Sequence, residues 1–104
     1  MPNYVLAYRG GQMSESESER EAELAKWGEW YGQLGSNAVD MGAPFSASKS
    51  VDPSGETTDT AVSQLSGYSV ISAESIEGAL AAAKMCPILG IGGSVDVYET
   101  VSMM

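Results

Sequence analysis

The fold that this sequence predicts is an α+β domain of ferredoxin-like topology, a split βαβ whose antiparallel sheet carries both helices on one face. Three observations predict it. The β-rich run Gly67-Tyr68-Ser69-Val70-Ile71 leads through serines and glutamates into an alanine-rich helix that Pro87 stops. A tyrosine-bearing strand opens the chain and an aromatic helix follows it. A last strand-forming run, Ser94 to Val101, follows Gly92-Gly93. The order is therefore strand, helix, strand with a hairpin, strand, helix, strand.

A chain of 104 residues makes one domain, 1–104, with one core. At that size folding buries roughly two thirds of the surface of the unfolded chain. Fourteen acidic and five basic side chains with no histidine give a formal charge of −9. Such a field repels phosphate backbones and anionic lipid surfaces, so nucleic acid and membrane are poor partners. The amino terminus lacks the charged-then-apolar pattern of a leader, and no apolar run approaches the ~20 residues that span a bilayer; a cytoplasmic location is expected. One cysteine allows no internal disulfide, and thiolate-imidazole metal sites are excluded; no cofactor is expected.

From Asn3 to Arg9, Tyr4, Leu6 and Tyr8 alternate with Val5 and Ala7, so both faces of the first strand carry apolar groups and both are expected to be covered. Gly10-Gly11 ends it, and a polar loop follows through Met13. Ser14 and Glu17 have capping-box spacing, and the Ser-Glu alternation up to Glu19 places negative charge at the positive end of a helix starting there. Leu24, Trp27, Trp30 or Tyr31, and Leu34 recur on its inner face, with Gly35 and Asn37 as the exit. Ala38 to Phe45 reads as a second strand bent at Gly42 and Pro44. Ser46 to Val51 and Thr57 to Val62 read as a hairpin arm around the turn Asp52-Pro53-Ser54-Gly55.

The central strand, Gly67 to about Ser72, is favoured by its β-branched and aromatic residues. Ser72 is the expected cap of the second helix, with Glu74 and Glu77 near its positive end. Ile76, Ala79, Leu80, Ala83 and Cys86 then line one face until Pro87 ends the bonding. An aspartate at Leu80 would therefore be driven beneath the helix. Ile88 to Gly93 is a glycine-rich connection, and the last strand sets Val95, Val97, Glu99 and Val101 against Asp96, Tyr98 and Thr100. Met103-Met104 is expected to fray. With both helices on one sheet face, the apolar residues on the other predict a homodimer, two sheets face to face around a shared interior.

Taken together, the tyrosine-rich first strand, Trp27-x-x-Trp30, Gly42-Ala43-Pro44-Phe45, Leu65-Ser66-Gly67-Tyr68, the alanine helix ending at Cys86-Pro87, and Gly92-Gly93-Ser94-Val95-Asp96-Val97 resemble the YCII-related family. The resemblance covers nearly the whole chain and is strongest from Gly67 through Pro87 to Val97. It implies a dimeric α+β barrel of ferredoxin-like subunits and little about activity. Some members of that family pair a histidine on the first helix with an aspartate before the proline ending the second; here Glu23-Leu24 and Cys86 stand at those places. In a branch with an Asp-Gly-Pro-Phe motif, only Asp59 of Asp59-Thr60-Ala61-Val62 would correspond.

Five residues are candidates for ligand binding. Arg9, at a glycine-terminated strand end, has a planar fork for a small anionic ligand, or is an ion-pair partner for one of the many carboxylates. Asp40 is an acid of the dimer interior or a solvated surface group, and Asp96 shares both readings. Tyr68 and Tyr98 can extend hydroxyls between the sheets. Trp27, with Trp30 and Tyr31, walls a cleft for a flat ligand or belongs to the core. Cys86, with no histidine to lower its pKa, reads as a packed thiol. The functional expectation is a small dimeric ligand-binding or accessory protein. Its rivals are an isomerase- or lyase-type enzyme using Arg9, Asp40 and Tyr68 on a small carboxylate, which rests on fold analogy, and a purely structural module.

Overall fold

The computed structural model describes residues 1–12 and 14–102, so the expectations for Met13 and Met103-Met104 lie outside the described residues. Strands β1 (Asn3–Arg9), β2 (Ala38–Pro44), β3 (Leu65–Ser72) and β4 (Ser94–Glu99) form one antiparallel sheet in the order β2-β3-β1-β4. Helix α1 (Glu17–Leu34) joins β1 to β2, and α2 (Ile76–Ala83) joins β3 to β4. This is an α+β arrangement compatible with the ferredoxin-like split βαβ.

Alternation along β1 decides which face is covered. Tyr4, Leu6 and Tyr8 are buried together with Ile71 of β3, Trp30 of α1, and Ala79 and Ala83 of α2, so both helices lie on that face. The indole Nε1 of Trp30 donates to the Ala82 carbonyl oxygen at 3.1 Å, tying the helices to each other. On the opposite face Val5 is half-buried, and Ala7 is buried between its strand neighbours Tyr68 and Asp96, whose larger side chains shield it. The molecule is a slab of 43 × 41 × 17 Å with a radius of gyration of 15.1 Å. A compact chain of this length would have about 13 Å. One uncovered sheet face and an extended loop account for the difference.

That loop, residues 45–64, corrects the expected hairpin arm. Its turn lies at Asp52–Gly55, but the only pairing is the bridge Val51↔Thr57. Side chains replace the ladder. Ser48 Oγ accepts from Ala61 N at 3.1 Å and Ser50 Oγ from Val62 N at 2.9 Å, and the Asp52 carboxylate accepts from Ser54 N and Glu56 N. Serine, threonine and aspartate offer the backbone such alternatives, which is why the two runs do not become strands.

Helix ends also differ in detail. Ser16, not Ser14, caps α1, its Oγ accepting from Glu19 N, while Ser14 donates its hydroxyl to Glu19. The repeating Ser-Glu run offers the same spacing three times, at Ser14, Ser16 and Ser18, and geometry selects the second. Ser75 rather than Ser72 caps α2, because Ser72 is still in β3 and donates to Asn37 Oδ1 at 3.1 Å. Helix α2 then ends at Ala83, and Cys86 begins a 3₁₀ segment, Pro87–Ile91, where glycine-rich coil was expected. The shorter helix is rotated from its expected setting: Ala79 is fully buried, whereas Leu80 is 43% exposed.

Candidate functional site

The five sequence candidates occupy two places. Arg9, Asp40, Tyr68 and Tyr98 belong to the uncovered sheet face, by their register with Val5, Ala7 and Val70. There Arg9 Nη2 lies 2.9 Å from Asp96 Oδ1, a cross-strand ion pair open to solvent. Asp40 is also engaged. Its Oδ1 accepts from Gly42 N at 2.8 Å and its Oδ2 from the Tyr68 hydroxyl at 3.4 Å, while Phe45 stacks on Tyr68 with ring centroids 5.8 Å apart. Tyr98 is 54% exposed. Trp27 lies across the sheet, on α1, and of the four only Tyr68 shares with it the lining of a cavity at the sheet's end.

Trp27 belongs to a cavity of about 340 Å³ at the end of the sheet where β1 stops and β3 begins. Its walls are Leu24, Trp27 and Tyr31 from α1, Tyr8, Gly10 and Gly11 around the end of β1, and Met41 to Pro44 from β2. Ser66 to Tyr68 and the 3₁₀ residues Ile88 and Ile91 complete it. Among the described residues no charged side chain lines it. The volume lies in the range of small-molecule sites, which are mostly apolar with a few placed polar groups. Aromatic packing makes one wall rigid: the Trp27 ring meets Tyr8 edge-on at 5.5 Å and Trp30 edge-on at 5.8 Å, and tilts 32° to Tyr31 at 6.0 Å.

Polar groups gather at the inner wall. The Tyr8 hydroxyl donates to Ser69 Oγ at 2.7 Å, Ser69 Oγ donates to the Met41 carbonyl oxygen at 3.0 Å, and Tyr31 Oη donates to the same oxygen at 2.9 Å. Tyr31 Oη and Ser69 Oγ are themselves 2.8 Å apart. The Met41 carbonyl reaches inward because β2 bulges between Asp40 and Ala43, where Gly42 has φ +75°. A second bulge leaves Ser66 without a partner on β1, since Tyr8 opposes Gly67 and Arg9 opposes Leu65. Ser66 Oγ is shut off from solvent with no hydrogen-bond partner among the described residues. Such an orphan costs about 1–3 kcal/mol.

Burial pushes the Tyr8, Tyr31 and Cys86 groups up from their ordinary values of 10.0 and 9.0. Folding thus favours the protonated, uncharged form of each. The stabilisation is complete below the unfolded values and is lost as pH rises beyond them. We expect stability to fall above about pH 9 by roughly 1–2 kcal/mol per pH unit, the half-exposed Tyr31 adding less than the two buried groups. Denaturant titrations from pH 8 to pH 11 check this, and a Tyr8→Phe variant should show the shallower slope. Cys86 is buried, and a thiol whose pKa is raised is a poor nucleophile.

Among the described residues no three histidine, cysteine or acidic side chains cluster to hold a metal ion, and no helix is long and apolar enough to cross a membrane. No protein-family model matches the chain, and no curated protein matches it either. Of the cavity wall and the hydroxyl network behind it, sequence reasoning singled out the aromatic face of α1 but neither Met41 of the wall nor the buried Ser69. Ser69 had a signal: it stands between Gly67 and Ile71 at an inward register position of β3, a polar group where an apolar one is expected. Met41 acts through its backbone, for which side-chain pattern carries no signal.

Proposed function

We propose that the chain is a small ligand-binding protein of the YCII-related family, active as a homodimer, with its ligand held in the cavity between α1 and the β1–β3 end. The observation that carries this reading is the uncharged, aromatic-walled cavity itself. Its lining favours an uncharged, largely apolar ligand over an anion, because a buried charge needs a partner and this wall supplies none. The charge of −9 acts in the same direction. Support for the dimer comes from the thin slab and from the uncovered face, where Val5, Val70, Tyr68 and Tyr98 remain at least partly open. An anion at Arg9 would compete with the Asp96 carboxylate already paired there, and in a small-carboxylate enzyme built on Arg9, Asp40 and Tyr68 both charged groups would be shared with existing partners.

A neutral polarity-sensitive dye titrated into the protein should bind saturably, one per chain. Leu24→Glu should weaken it at least severalfold by placing a carboxylate at the mouth, with the fold intact because Leu24 is 60% exposed. Absence of saturable binding overturns the ligand-binding reading. Light scattering at micromolar concentration should give twice the chain mass, and a monomer there removes the dimer.

A further inference from the structure

We propose that the cavity selects an uncharged aromatic molecule that donates a hydrogen bond to Tyr31 Oη. This rests on the cavity being a ligand site and adds the chemistry of its ligand. The argument is an account of protons. Tyr8, Ser69 and Tyr31 have three hydroxyl protons, and each has an acceptor inside the protein: Ser69 Oγ for Tyr8, and the Met41 carbonyl oxygen for Ser69 and Tyr31, at 2.7, 3.0 and 2.9 Å. A carbonyl oxygen has two lone pairs, and here both are used. If Ser69 instead donates to Tyr31 across their 2.8 Å contact, the protons are still all placed internally.

What remains is acceptor capacity on Tyr31. In either arrangement its oxygen keeps a lone pair, and Tyr31 is the half-buried member of the network, standing in the cavity wall beside Trp27. The Ser66 hydroxyl on the same wall is shut off from solvent and out of a ligand's reach, so a ligand with only acceptor groups would have to take a proton away from the network and orphan a buried oxygen. A ligand with an O–H or N–H adds a bond and breaks none. The Trp27 and Tyr31 rings, 6.0 Å apart and tilted 32° to each other, give that wall the aromatic surface on which an aromatic ring packs. The volume, equal to that of on the order of ten liquid waters, holds two fused rings.

Three probes of one shape separate the possibilities: neutral naphthol, its methyl ether, and acetylnaphthalene, which only accepts. Quenching of the combined Trp27 and Trp30 fluorescence reports binding of each. On the parent protein naphthol should bind roughly 3- to 10-fold more tightly than either of the others, the range for one hydrogen bond. In Tyr31→Phe naphthol should fall to the level of the methyl ether, whose own binding is unchanged and shows that the cavity survives. Equal binding of naphthol and its ether to the parent, tighter binding of acetylnaphthalene, or a naphthol preference that persists in Tyr31→Phe overturns the proposal. The parent comparison decides it even if Tyr31→Phe fails to fold. If none of the three binds, the ligand-site reading fails first and this proposal falls with it.

Discussion

Ala79→Asp is expected to destabilise the domain severely, while Leu80→Asp, one position along the same helix, melts close to the parent. Ala79 is 0% exposed and packed in the cluster of Tyr4, Leu6, Ile71 and Trp30, where a carboxylate finds no cation. An unpaired buried charge costs about 4 kcal/mol or more against a total stability of roughly 5–15. For a chain of this size that lowers the melting midpoint by on the order of 20 °C. Leu80 is 43% exposed, so its carboxylate stays in water and the cost stays within about 1 kcal/mol. Circular dichroism melts of the two variants check this, and matching curves would mean that the rotation of α2 is wrong.

The second large effect is expected for Gly42→Ala. A Cβ on this residue would fall on the Tyr68 carbonyl, 2.6 Å from its carbon, and 3.1 Å from Ser69 Cα, all of it backbone that cannot step aside. The φ of +75° adds about 1 kcal/mol or more for any side chain. Together the loss should be about 3 kcal/mol. It should be accompanied by a loss of cavity binding, because the same bulge aims the Met41 carbonyl at Ser69 and Tyr31. Chemical denaturation measures the first and dye titration the second. A variant within about 0.5 kcal/mol of the parent would show that the bulge can relax without harm.

The pairing of these two residues shows where pattern reasoning stops. Spacing alone placed Ala79 and Leu80 on a common inward face, and both are compatible with a helix covering a sheet. Which of them is buried depends on where the helix starts, and a shift of the cap from Ser72 to Ser75 shortens it and turns its contact stripe toward Ala79 and Ala83. At Gly42 a bend was legible, since glycine and proline sit close together in a strand-forming run. The consequence for a carbonyl one residue away was not.

Arg9 makes a similar point about charge. Scarcity of cations made it a candidate for anion recognition, and the abundance of carboxylates offered the alternative of an ion pair. The register of β1 with β4 sets Arg9 opposite Ser94 and diagonal to Asp96, and that places the two side chains 2.9 Å apart. No count of charges contains that register.

By itself the sequence determined the order of the four sheet strands and the two α-helices, because hydrophobic period, capping residues and breakers act over a few neighbouring positions; the hairpin arm it also suggested did not form. It left both faces of β1 apolar, and the tertiary structure chose the face of Tyr4, Leu6 and Tyr8 for the helices. Only the tertiary structure decided where the cavity lies. Its walls come from α1, three strand ends and a 3₁₀ segment, its inner surface from a backbone carbonyl turned by a bulge, and its polarity from hydroxyls on Tyr8, Tyr31 and Ser69. These groups are distant along the chain, and long-range packing alone fixes the distances between them.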